Sequence, residues 1–171
     1  MLLFEAGGET ASLTDRELKE GLITALDKIS PVRKVLVLPP DITRFQSRAG
    51  VLTTGAAEYL GKSLTDIMPA LGTHFPMTSR EIDLMFPGVD HGFFREHRWR
   101  YDIKTLGTVP GDFIKEVSEG RVDYCWPAQV NKLVAEGGHD LILSIGQVVP
   151  HEVIGFANHN KNLFVGTGGS E

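Results

Sequence analysis

The sequence predicts an α/β domain with a mainly parallel sheet, because strand-like and helix-like segments alternate along its 171 residues. Two observations carry that expectation. The apolar, β-branched runs over 34–38 and 140–145 have the length and composition of strands buried on both faces. Helical patterns flank and separate them, and two open on Thr-x-x-Glu capping boxes, at Thr14-Asp15-Arg16-Glu17 and Thr78-Ser79-Arg80-Glu81.

In chain order, Leu18, Leu22, Ile23, Leu26 and Ile29 recur at helical spacing, which predicts an amphipathic helix over 15–28. The strand over 34–38 is closed by Pro39-Pro40 and followed by a polar loop, Asp41-Ile42-Thr43-Arg44, then a helix over 51–62. The next strand is expected over 67–71, although Pro69 removes one donor. The second capping box starts a short helix to about residue 86, and 87–100 read as loop. Residues 101–106 form a weak strand candidate, and 112–126 suggest a hairpin turning at Glu119-Gly120. A helix over 128–136 stops at Gly137-Gly138, ahead of the clearest buried strand at 140–145. The ending, 166–171, shows no core-forming pattern and looks cut from something longer.

Composition bounds the function. Seventeen Lys and Arg against 22 Asp and Glu give a net charge of −5, which argues against a general nucleic-acid backbone binder. A single cysteine, Cys125, excludes an internal disulfide framework and a cysteine-based zinc site. The apolar start Met1-Leu2-Leu3-Phe4 ends at Glu5, too short for a signal-peptide core or a membrane span, so no membrane partner and a cytoplasmic location are expected.

Three segments place reactive side chains just past a predicted strand: Asp41-Ile42-Thr43-Arg44, Gly72-Thr73-His74 and Pro150-His151. In open α/β sheets ligands bind beyond the carboxyl ends of the strands, so the three can converge on one crevice. Arg44 offers a planar fork of donors for a carboxylate or phosphate, and Asp41 can cap the next turn or orient Arg44. A plain Asp41–Arg44 loop ion pair is the competing reading. His74 and His151 are candidate acid/base groups, since imidazole exchanges protons near neutral pH. Lys161 suits phosphate contact or covalent attachment of a carbonyl-bearing cofactor, or is a solvated charge. His91 and His97, six residues apart, match no zinc motif, and His139 reads as a surface residue at a helix–strand corner.

Taken together, Pro40-Asp41-Ile42-Thr43-Arg44, Gly72-Thr73-His74-x-Pro76, His97 and Pro150-His151-Glu152-Val153-x-Gly155-Phe156 leading to Lys161 resemble the nickel-dependent lactate racemase family. The resemblance runs over roughly 35–168 with the motif order kept. It implies a Rossmann-like domain, the N-terminal half of a two-domain protein that clamps a nickel-pincer nucleotide held on a lysine. By the same resemblance Lys161 matches the attachment lysine, His74 and His151 the paired catalytic histidines, and Asp41, Thr43 and Arg44 the cofactor and substrate pocket. The implied reaction is racemisation or epimerisation of a 2-hydroxy acid by hydride transfer, which avoids a carbanion beside a carboxylate. Two positions depart from the family: Phe75 stands where many relatives carry Arg, and Ala157-Asn158-His159-Asn160 replaces a usual Ser-Gly-Gly before Arg-Lys. The family's nickel histidine lies a little beyond the attachment lysine, past the last residue here, so no metal ligand is expected within 1–171. Residues 1–171 are therefore expected to be one α/β domain that is inactive alone and completed by its own C-terminal domain. The alternatives are a non-catalytic module binding an anionic small molecule or nucleotide on the same fold, and an interaction domain with no small-molecule ligand.

Overall fold

The computed structural model describes residues 1–29, 31–152 and 155–169. Helix α1 (Asp15–Asp27) begins at a complete capping box, with Thr14 accepting from the Glu17 N–H and the Glu17 carboxylate accepting from the Thr14 N–H. Strand β1 (Val35–Leu38) follows, then a 3-10 segment (Ile42–Ser47) and α2 (Ala49–Leu60). Strand β2 (Leu64–Ile67) comes next, then α3 (Ser79–Met85), opened by the second capping box. A ribbon of β3 (Ile103–Val109) and β4 (Trp126–Asn131) encloses α4 (Gly111–Val117) in sequence. Short α5 (Lys132–Glu136) leads into β5 (Leu141–Ser144). The described chain closes with β6 (Pro150–His151), β7 (Gly155–Phe156) and α6 (Asn160–Phe164).

The main sheet has the order β2-β1-β5, and both pairings are parallel. All four β1 residues are fully buried, which explains why the run is continuously apolar rather than alternating. Val35 and Val37 pack with α1, α2 and α3 through Leu26, Ala56, Leu60 and Met85. Leu36 and Leu38 point to the other face, against Met68, Leu133, Val134 and Leu163. Helices therefore cover both faces of the sheet. Cutting Leu36 back to alanine is expected to cost about 2–5 kcal/mol, from lost transfer energy plus a cavity that close packing cannot fill. A lower urea midpoint with an unchanged denaturant slope is the expected reading.

Several expectations are corrected. Strand β2 lies at 64–67, earlier than the expected 67–71. The later residues still run along β1, with the Met68 N–H donating to Val37 and the Ala70 N–H to Pro39, while Pro69 between them has no N–H to give. Residues 112–126 do not form a hairpin. Instead α4 ends at Val117, and Glu119 and Gly120 follow with φ angles of 55° and 79°, which stop a helix as readily as they turn a hairpin. The helix expected over 128–136 is half strand, since β4 runs to Asn131 and pairs antiparallel with β3. The Asn131 side chain then caps α5 by accepting from the Leu133 N–H. His139 is not on the surface: its side chain is 1% exposed and contacts Asp66 at 2.9 Å. The final segment is also built in, with Gly166, Thr167 and Gly168 buried, while Ser170 and Glu171 lie outside the described residues. Among the described residues no helix is long and apolar enough to cross a membrane.

Candidate functional site

Because the three main strands are parallel, the loops leaving β1, β2 and β5 emerge at one edge. The chain goes from β1 to β2 on one side and reaches β5 on the other, so strand order reverses at β1. That reversal separates the outgoing loops and opens a crevice, where α/β folds bind their ligands. A cleft of about 190 Å³ lies there, lined by residues 40, 41, 43, 44, 70–74, 146–147, 149 and parts of 157–166.

Asp41 is the hub of the cleft. It is buried, yet its carboxylate is fully engaged: Oδ1 accepts from the Thr43 N–H at 3.1 Å and the Thr43 hydroxyl at 2.5 Å. Its Oδ2 lies 2.5 Å from His74 Nδ1. A carboxylate can only accept, so Nδ1 carries a proton, and the neutral form of the ring keeps its lone pair at Nε2. The His74 side chain is 57% exposed, and its Nε2 has no partner among the described residues. Asp41 thus serves His74 and Thr43, not Arg44, and the loop ion pair read as an alternative does not form.

Two cations complete the cleft. Neither the Arg44 guanidinium nor the Lys161 ammonium has a hydrogen-bond or ion-pair partner among the described residues, although both line the cavity. Glu152 stands near both: its own backbone N–H and His151 hold its carboxyl below the usual range, and Arg44 and Lys161 add to that effect. His151 itself, 3.8 Å from the Glu152 carboxylate, is not among the residues lining the cleft. Val153 of the Pro150–Phe156 motif lies outside the described residues. The structure therefore brings together Asp41, Thr43, Arg44, His74 and Lys161, and leaves His151 beside them.

The Lys161 helix is fastened from below. Asn162 is buried and donates to the Leu38 carbonyl at 3.5 Å and to Ser144 Oγ at 3.3 Å; Ser144 in turn donates to Asn158 at 3.3 Å. These bonds tie α6 to the ends of β1 and β5. No motif in the sequence marked Ser144 or Asn162, because their partners lie far away in the chain. Asn158 and His159 hold φ angles of 61° and 49°, in the left-handed region where the resembled family carries glycines. Asn tolerates positive φ better than most side chains do.

His97 lies away from the cleft, 2% exposed. Its Nε2 is 3.1 Å from the Gly168 carbonyl and its Nδ1 3.0 Å from the Asn131 amide. Since Asn131 Oδ1 is committed to Leu133, the amide faces His97 with its N–H, and His97 must accept at Nδ1 and donate at Nε2. Burial pushes the His97 pKa down, and the Gly168 bond and Asp102 only partly oppose it. A second buried pair sits elsewhere. Burial alone would raise the Asp66 carboxyl, but bonds from His139 and Thr65 and the charge of Arg95 hold it below the ordinary value. Among the described residues no group of three or more His, Cys, Asp or Glu could hold a metal ion.

Comparison places this fold in a class, an α/β domain also found within larger proteins. A crystal structure of a protein from Thermotoga maritima matches with a TM-score of 0.83 at 30% identity, over 93% of this chain and 39% of that one. The lactate racemase apoprotein from Thermoanaerobacterium thermosaccharolyticum matches with a TM-score of 0.62 at 22% identity, over 92% of this chain and 34% of that one. The chain thus spans well under half the length of each. No family model and no curated protein matches it. The chain therefore shares its fold with part of each of these larger proteins, the lactate racemase apoprotein among them.

Proposed function

We propose that this chain is the N-terminal, cofactor-holding domain of a lactate racemase-like enzyme that racemises or epimerises a 2-hydroxy acid. The observation that carries the reading is the cleft itself: an Asp41–His74 pair and two cations without a partner among the described residues, Arg44 and Lys161, at the switch point of a parallel sheet. The donor set fits the organic part of a nickel-pincer nucleotide. Lys161 has a free amine for covalent attachment, and Arg44 suits a phosphate or carboxylate. Among the described residues no group of three or more His, Cys, Asp or Glu is placed to hold a metal ion, and no nickel ligand is assigned among them. When bound, the cofactor provides a hydride acceptor.

The chain's own residues do the rest. Arg44 holds the substrate carboxylate with two parallel bonds, which fixes its orientation. His74 accepts the hydroxyl proton at Nε2, while Asp41 steadies the ring and the positive charge that develops on it. His151 is assigned the matching role on the opposite face, where it would return a proton to the substrate oxygen. It would reach the cleft through the β6–β7 segment that already carries Glu152 beside Arg44 and Lys161. The second reading, a module that only binds an anionic small molecule, is favoured by one fact: the cations line the cleft and His151 does not.

Intact-protein mass spectrometry separates the two. The full-length protein carrying this domain, co-expressed with enzymes that make the nickel-pincer nucleotide, should gain a mass adduct that Lys161→Ala abolishes. No adduct, in cells where a known lactate racemase does load, would leave the binding module as the better account.

A further inference from the structure

A second hollow, of about 440 Å³, adjoins the polar cleft. Gly72, Thr73 and Val165 face both spaces, so the two share one wall. The rest of the second space is mostly apolar, with Trp126, Pro127 and Phe164 the largest contributors. Trp126, Phe164 and Val165 are 45%, 53% and 51% exposed, which is poor use of large apolar side chains unless something apolar covers them. Trp126 is also braced, with Tyr124 stacked beside it at 6.0 Å between ring centroids. A braced indole at the mouth of a concave space is suited to another ring.

Size points the same way. The polar cleft alone, at about 190 Å³, is smaller than the 300–1,000 Å³ usual for a ligand site, whereas the two spaces together reach that range. A methyl substituent would leave the apolar part empty. We propose that this hollow is a specificity subsite for an aryl substituent on the 2-hydroxy acid whose carboxylate Arg44 holds. The inference rests on the reading of the cleft given above and names its substrate class. The exposed Phe75 stands two residues after Thr73, which lines both spaces, at the position where the resembled family often carries a cation.

The test compares 3-phenyllactate with lactate by calorimetry, using the chain itself. Phenyllactate should bind at least tenfold more tightly, the scale on which an apolar pocket discriminates. Trp126→Ala and, separately, Phe164→Ala should bring the ratio near one, and Arg44→Gln should weaken both acids. The chain has two tryptophans, so in a Trp99→Phe background phenyllactate should also shift the emission of Trp126. Equal affinities that neither truncation alters, with Arg44→Gln still weakening both acids, would overturn the subsite and leave the cleft reading intact. Binding of neither acid would overturn both.

Discussion

Replacing Asp41 with asparagine is expected to invert the proton on His74 and, in the enzyme proposed to carry this domain, to slow turnover by about 10²–10⁴-fold, the range general acid–base groups contribute. The reason is donor accounting. Asp41 accepts three bonds, two from Thr43 and one from His74. An asparagine has only one oxygen. If that oxygen stays with Thr43, the new NH₂ faces His74 Nδ1, which must then present its lone pair, and the proton moves to Nε2. The atom meant to accept the hydroxyl proton is then already protonated. If the amide flips instead, its NH₂ meets the Thr43 N–H, and a partly buried donor goes unpaired at about 1–3 kcal/mol. The Nε2 tautomer is therefore the expected state, with ligand affinity largely kept because Arg44 and Lys161 are untouched. Imidazole ¹H–¹⁵N correlation spectra read the tautomer directly in this chain. An unchanged tautomer together with unchanged turnover would remove the Asp41–His74 contact from any role in proton transfer.

That contact joins two segments 33 residues apart, which shows what the sequence could and could not display. Local signals were legible. The capping boxes placed α1 and α3, and the fully apolar run at 35–38 identified a strand covered on both faces. The three polar segments were legible too, because each follows an apolar run and parallel strands end together. The pairings between segments were not. Asp66 hides the strand it belongs to, since a carboxylate inside β2 breaks the apolar pattern and is tolerated only through His139 and Arg95. His139 looked like a surface residue for the same reason, its partner being 73 positions away. At 126–131 nothing local selects strand over helix; pairing with β3 across the intervening α4 decides it. Tertiary pairing also explains the last residues. Gly166 accepts from the Gly72 N–H and Thr167 accepts from the Asn131 N–H, so a glycine-rich stretch without a pattern becomes buried structure linking the cleft to the ribbon.

That link passes through His97, and His97→Leu is expected to cost about 2–5 kcal/mol. The leucine fills most of the space, yet leaves the Gly168 carbonyl and the Asn131 amide without partners in a buried setting, each at about 1–3 kcal/mol. His97→Gln, which keeps one N–H donor and one acceptor, should recover part of the loss. The pH dependence gives a separate signature. The His97 pKa is lowered in the folded state from its ordinary 6.5, so below that pH the unfolded chain takes up a proton that the folded chain refuses. Stability from this group is complete above about 6.5 and declines as the pH falls toward the lowered value. Carboxylates with lowered values, Asp66 and Asp140 among them, act in a different window: their contribution persists until the pH drops below their ordinary 3.8. Urea midpoints taken at pH 7.5 and pH 5 exclude the carboxylate window, and the difference between wild type and the His97 variants isolates this histidine from the others. The wild-type chain should lose stability between the two, and both variants should lose less, because neither glutamine nor leucine titrates. Equal losses in all three would mean that protonation of His97 is not opposed by the fold, and that the Asn131 amide can turn to accommodate it.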